Sequence, residues 1–168
     1  KPVYHTPRYE IGRWQLIMLD SSVWGSVHGH LDDEQLNYLD EQLAANPNLF
    51  SMIVLHHHPI SVGCRWIDPI GLDNSAALWE ITDRHPNIRA IVWGHIHQNF
   101  VSGRNNVELL ATPSTCIQFK PGQDDFGLDD QPPGFRIIEL YDDGQLKSEV
   151  VRIHELPEDI DFNTRGYE

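Results

Sequence analysis

The sequence predicts an α/β fold built on a parallel sheet. Three observations carry that prediction: three continuous apolar runs of strand length, two helix-spaced segments alternating with them, and turn chemistry closing each run. Residues 14–19 (WQLIML), apolar but for Gln15, look like a strand buried on both faces, and Asp20-Ser21-Ser22 end them. A loop through Gly25 and Gly29 leads to Asp32, which can cap a helix, with Gln35 three residues on as a variant of the capping box. Leu36, Leu39 and Leu43 then repeat at helical spacing until Asn46-Pro47 stops them, so this helix is amphipathic and covers a sheet. Phe50–Leu55 is the second buried strand and runs into His56-His57-His58-Pro59. Asn74 begins a second helix with Ala77, Leu78 and Ile81, which ends near His85-Pro86 because proline disfavours helix in the residue before it. Ile88–Trp93 is the third strand and runs into Gly94-His95-Ile96-His97. The order strand, helix, strand, helix, strand implies parallel pairing with right-handed crossovers.

Beyond Gln98 the runs shorten and alternate. Asn105-Asn106 joins Phe100 to the Val107–Ala111 run, and Asp143-Gly144 is a hairpin signal between residues 135–141 and 145–153. Residues 121–134 are rich in Asp, Gly and Pro and read as a long surface loop. The expected division is a domain portion over residues 1–156 and an acidic tail over 157–168, frayed or laid along the surface.

Composition excludes several functions. The 168 residues have the length of one domain, and 40% hydrophobic against 22% charged residues is a folding composition. With 12 Lys+Arg against 25 Asp+Glu the formal charge is −13, and no basic cluster is available to neutralise a nucleic-acid backbone. Any phosphate handled here needs another source of positive charge. No apolar run approaches the roughly 20 residues of a membrane span, and no signal-peptide pattern is present, so the expected location is cytoplasmic, without a membrane partner. Cys64 and Cys116 form no CxxC pair and are expected as reduced thiols near or in the core.

Five of the ten histidines fall in two clusters, each just after a buried strand. Ligands of open parallel sheets bind beyond the carboxyl ends of the strands, so two such ends aim their imidazoles into one crevice. Neutral imidazole ligates Zn, Fe and Mn-type ions, which makes His57, His95 and His97 candidate metal ligands. Gly94 is expected to allow close approach at its turn. His56 rivals His57, because a triple histidine leaves the register open by one. His58 is expected to orient its neighbours or face the rim. His28 and His30 read as loop histidines, either solvated or over the mouth of the site. Thr115, Cys116 and Gln118 either line the ligand side or pack a strand end; Trp66 and Trp93 are core or rim aromatics. His5, His85 and His154 are assigned to the surface.

His57-His58-Pro59 and Gly94-His95-Ile96-His97, each after an apolar strand, resemble the last two metal-binding motifs of the calcineurin-like metallophosphoesterases. Leu19-Asp20-Ser21, His28-Gly29, HHHPISVGCRW, GHIHQ and ATPSTCIQFKP resemble one branch of that superfamily, the bacterial class III cyclic AMP phosphodiesterases, over nearly the whole chain. The resemblance implies part of a four-layer αββα sandwich, the N-terminal half of the fold being absent, around two metal ions, usually Fe with Mn. It implies hydrolysis of 3′,5′-cyclic AMP to 5′-AMP, the metals providing the positive charge that the acidic chain lacks. By position, His57 and His95 would ligate one metal, and His97 the other, beside the substrate phosphate, so that His97 also counts as substrate-binding.

The family's upstream Asp-x-His, Gly-Asp and Gly-Asn-His strings do not recur here. Asp83-Arg84-His85 matches the first of them but sits at a helix end before Pro86. The resemblance therefore implies that no catalytic acid-base residue lies in this sequence, and that the chain alone lacks the activity of a longer parent. Half a sandwich also favours self-association or pairing with the missing half. Two further readings are hydrolysis of another phosphoester and a non-catalytic metal-binding or interaction module.

Overall fold

In the computed structural model, which describes residues 7–156, 160–164 and 166, ten strands and two α-helices follow one another. They are β1 (Arg8–Ile11), β2 (Trp14–Met18), α1 (Asp33–Ala45), β3 (Phe50–Leu55), α2 (Ser75–Thr82), β4 (Ile88–Trp93), β5 (Phe100–Arg104), β6 (Val107–Ala111), β7 (Gln118–Phe119), β8 (Leu128–Asp129), β9 (Gly134–Leu140) and β10 (Leu146–Arg152), with one 3-10 turn over Asp68–Ile70 between β3 and α2. Six strands make one sheet in the order β1-β2-β3-β4-β6-β5. Its four inner strands pair in parallel, as the alternation of strand and helix predicts, and β1 and β5 add antiparallel edges.

The period of two along each strand sorts the side chains onto two apolar faces. Ile17, Ile53, Ile91 and Leu109 pack with Leu39 and Leu43 of α1 and Leu78 and Ile81 of α2. Trp14, Met52, Ala90, Val92 and Leu110 take the opposite face, where Ile138, Leu140 and Leu146 of the β9–β10 hairpin pack on them. The Trp14 indole N–H donates to the Tyr141 carbonyl at 2.8 Å and ties the hairpin down. Burial on both faces explains why these strands read as mostly apolar runs with a single polar residue apiece, each buried large side chain contributing about 1.5–3 kcal/mol. Helices, sheet and hairpin are three layers of the expected four; the fourth is not among the described residues.

Local signals also shape the loops around the site. Asp32 caps α1 by accepting the Gln35 N–H at 2.9 Å. The Gln35 side chain does not close the expected box: its Oε1 accepts the Asp20 N–H at 3.0 Å, joining the start of α1 to the end of β2. Asn74, at the start of α2, holds Leu31 through both backbone groups, at 3.0 and 2.6 Å. Within residues 121–134 the structure adds β8, paired with β7. Cys64 is buried as expected, whereas Cys116 is exposed. Among the described tail residues Gly166 lies against the Phe126 ring; His5 and tail residues 157–159, 165, 167 and 168 lie outside the described residues. No described helix is long and apolar enough to cross a membrane.

Candidate metal centre

Parallel pairing places Leu55 of β3 opposite Trp93 of β4, so the two chains leave the sheet at the same level. The residues that follow arrive side by side. Ring centroids are 4.7 Å apart for His57 and His95, 5.2 Å for His56 and His95, and 4.8 Å for His56 and His57. One ring nitrogen from each of the three lies within 4.8 Å of the others. His57 and His95 therefore meet as the sequence suggests, and His56 joins them rather than competing. His97 stands outside this set, its ring stacked on Phe119 at 4.2 Å and 8°, with its Nδ1 buried and without a hydrogen-bond partner.

The Gly94-His95-Ile96-His97 stretch is bent to make this possible. His95 and His97 have φ of 60° and 49°, in the left-handed region, and the Ile96 N–H donates to the Gly94 carbonyl at 2.6 Å. Backbone of this kind costs on the order of 1–3 kcal/mol per residue and concentrates at functional sites. The fully buried Ile96 between them is the anchor that holds the bend.

A second loop positions His57. Its Nδ1 lies 2.8 Å from Ser21 Oγ, which also accepts the His57 N–H at 3.3 Å. Gly29 is packed so tightly against the ring that a Cβ there would stand 2.3 Å from His57 Cγ. At Gly94, by contrast, a Cβ would make ordinary 3.6 Å contact with His56, so the glycine that close approach requires is Gly29. Gly29 is fixed in turn: it donates to the Gly71 carbonyl and accepts from the Asp73 N–H, both at 2.9 Å. His30 Nδ1 sits 2.7 Å from Asp73 Oδ1, and His28 Nε2 3.6 Å from Asp73 Oδ2. Ser21 and Gly29 belong to the Leu19-Asp20-Ser21 and His28-Gly29 motifs of the resemblance, but their role at His57 was not read from the sequence.

The remaining predicted residues fall into place around this core. His58 is buried and stacks on His95 at 5.4 Å and 18°, so it braces its neighbour rather than facing the rim. Gln118 is buried, its amide closed on the backbone of Ser114, while Thr115 and Cys116 are exposed. Trp93 is core, and Trp66 packs edge-on against Phe119 and Phe126. His154 is exposed as expected. His85 is not a free surface residue: its Nε2 lies 2.7 Å from Asp40 Oδ1 and links α2 to α1. With Asp83 paired to Arg104, the Asp83-Arg84-His85 string is structural.

Electrostatics suit a cation here. Burial first, and the neighbouring imidazoles after it, lower His57 to about 4 and His95 to about 3. Neutral imidazole is the form that ligates. His95 Nε2 is buried with no hydrogen-bond partner, an acceptor that a metal ion would satisfy. The three histidines fit one such ion; the set contains no carboxylate. A recess of about 270 Å³, lined by Ser22, Val23, Ser26, Val27 and the three histidines, opens over them.

The strand order is that of a fold found in solved dimetal phosphatases. The fold matches a dimetal phosphatase from Danio rerio with a TM-score of 0.53 at 13% identity, over 84% of this chain and 58% of that one. It also matches the Plasmodium inner-membrane-complex anchor GAP50, with a TM-score of 0.52 at 14% identity, over 89% of this chain and 53% of that one. In sequence, the chain is related over nearly its whole length to bacterial cyclic AMP phosphodiesterases, as the motifs suggest. It is 42% identical to the 3′,5′-cyclic adenosine monophosphate phosphodiesterase CpdA of Pseudomonas aeruginosa, over 94% of this chain and 58% of the relative. To CpdA of Vibrio vulnificus it is 44% identical, over 92% of this chain and 56% of the relative. The chain thus spans little more than half the length of these curated relatives. No family model matches it.

Proposed function

We propose that this sequence is the histidine-bearing part of a metal-dependent phosphodiesterase that hydrolyses 3′,5′-cyclic AMP to 5′-AMP. The observation that carries the reading is the convergence of His56, His57 and His95, neutral and with an unpartnered nitrogen, at paired strand ends of a chain so similar to CpdA. Metal ions bound there, Fe and Mn in this reading, supply a Lewis acid and a water acidic enough to ionise near neutral pH. His57 and His95 hold one ion through their ring nitrogens, Ser21 fixes the His57 ring, and His58 braces His95. His97 serves a second ion beside the substrate phosphate. The bridging carboxylate and the general acid belong to upstream sequence in the longer protein, and the outward face of β9, where Phe135 and Ile137 are exposed, packs against that portion or a second copy.

The test strips and reloads the protein with Mn²⁺ or Fe²⁺ and follows cyclic AMP, 2′,3′-cyclic nucleotides and p-nitrophenyl esters by chromatography. Residues 1–168 alone should take up metal and show negligible turnover, while the longer protein converts cyclic AMP. Turnover without preference for cyclic AMP would overturn the substrate. The all-histidine set also suits one zinc ion in a non-catalytic module; metal uptake without turnover in the longer protein would favour that reading.

A further inference from the structure

One side chain at this site has no packing role. Trp24 is fully solvent-exposed, at 102% relative accessibility, whereas Trp14 and Trp93 are 1% exposed. It occupies the tip of a tight turn in which the Ser26 N–H donates to the Val23 carbonyl at 3.0 Å. Gly25, with φ of 74°, supplies the left-handed residue such a turn needs at its third position. The residues on either side of the tip, Val23 and Ser26, line the histidine recess, so the indole is held at its lip.

The recess is small. At about 270 Å³ it falls below the usual 300–1,000 Å³ range for pockets that enclose a small molecule. A phosphate group fits among the histidines, and the rest of a nucleotide must extend past the rim. The rim loop offers an exposed indole and, beside it, half-exposed Val27. An indole without contacts of its own, on a backbone turn fixed by a hydrogen bond, is a ready platform for a planar ring, because every base has a π-face to stack.

We infer that Trp24 is a specificity-determining residue that stacks on the nucleobase of the substrate and favours nucleotides over simple phosphoesters. This rests on the proposed phosphodiesterase reading. The test measures dissociation constants of inorganic phosphate and of 5′-AMP with the Mn²⁺-loaded protein, for the parent, Trp24→Ala and Trp24→Phe. The base should tighten 5′-AMP over phosphate by roughly 5- to 150-fold in the parent, the range for stacking of one base. Trp24→Phe should keep most of that ratio, and Trp24→Ala should bring it close to one while phosphate binding stays unchanged. An unchanged ratio in Trp24→Ala, or a parent that binds 5′-AMP no tighter than phosphate, overturns the inference and leaves the phosphoesterase reading standing. Failure of the metal-loaded parent to bind phosphate at all strikes that reading, and the inference falls with it.

Discussion

Replacing Gly29 by alanine should damage the metal centre without touching a ligand. Its φ is not positive, so alanine is tolerated by the backbone and the effect is steric. The new Cβ would stand 2.3 Å from His57 Cγ, 2.4 Å from Nδ1 and 2.6 Å from Cβ. Ordinary contact begins at 3.4 Å, so the root of the ring and the loop must separate by 3.4 − 2.3 = 1.1 Å. Neither side yields easily. Gly29 is pinned by its bonds to Gly71 and Asp73, and the backbone flanking His57 by the bonds of Gly94 to His56 and of Leu72 to His58. Overpacking of this kind costs about 1–3 kcal/mol of stability. A ligand ring displaced by an ångström and parted from Ser21 should lose about 10- to 100-fold in metal affinity. Mn²⁺ or Zn²⁺ titration against a chromogenic chelator reads the affinity, and thermal denaturation reads the stability. Gly103→Ala is the control, since its Cβ would meet nothing nearer than the Val107 carbonyl at 3.8 Å. A folded Gly29→Ala protein with the parent's metal affinity would refute the claim that this contact sets the ring.

Three further outcomes follow from the same geometry. Ser21→Ala removes the partner of His57 Nδ1 and should weaken Mn²⁺ binding about 10-fold with little loss of fold, read by the same titration. His95→Ala should abolish binding of the first equivalent of metal, whereas His97→Ala, outside the three-histidine set, should retain it; equilibrium dialysis with elemental analysis separates them. The hydrogen bond from His85, then the Arg84 guanidinium, holds Asp40 below the ordinary carboxylate range. A depressed folded value means stability that is present above the unfolded value and lost as pH falls through the folded one. Urea midpoints should therefore fall below about pH 4 in the parent, and Asp40→Asn should flatten that decline.

Much of the fold was legible because each inner strand is buried on both faces. Phe50–Leu55 and Ile88–Trp93 are delimited as the apolar runs suggest, since Ser51 and Arg89 are the one polar residue in each and a histidine-bearing turn ends each. Edge strand β1 was not legible: Arg8–Ile11 is mostly exposed and carries no burial period. Histidines 57 and 95 were legible because register between parallel strands converts equivalent sequence positions into neighbouring space. The roles of Ser21 and Gly29 were not, because they depend on contacts of 36 and 28 residues' separation, and nothing local to either residue encodes those contacts. The capping box shows the same limit: Asp32 acts locally and was predictable, while Gln35 found a better donor in Asp20 fifteen residues away.

The site thus divides its labour between parts of different stiffness. His57 and His95 leave the two central strands of the sheet, and their rings are constrained by Ser21, by Gly29 and by His58, so a cation would meet a frame that needs little reorganisation. The left-handed backbone at His95 costs free energy in the folded chain, and ligation of its unpartnered Nε2 would offset part of it. The loop that steadies His57 is stapled at Gly29 and His30 to the segment before α2, yet between Ser22 and Val27 it carries an exposed indole. On the proposed reading, a rigid ligand frame beside a loop with one unpacked aromatic would separate metal affinity from substrate choice. Substitutions at Gly29 and at Trp24 should therefore be independent, the first changing metal binding and the second the preference for a base, with effects that add in the double variant.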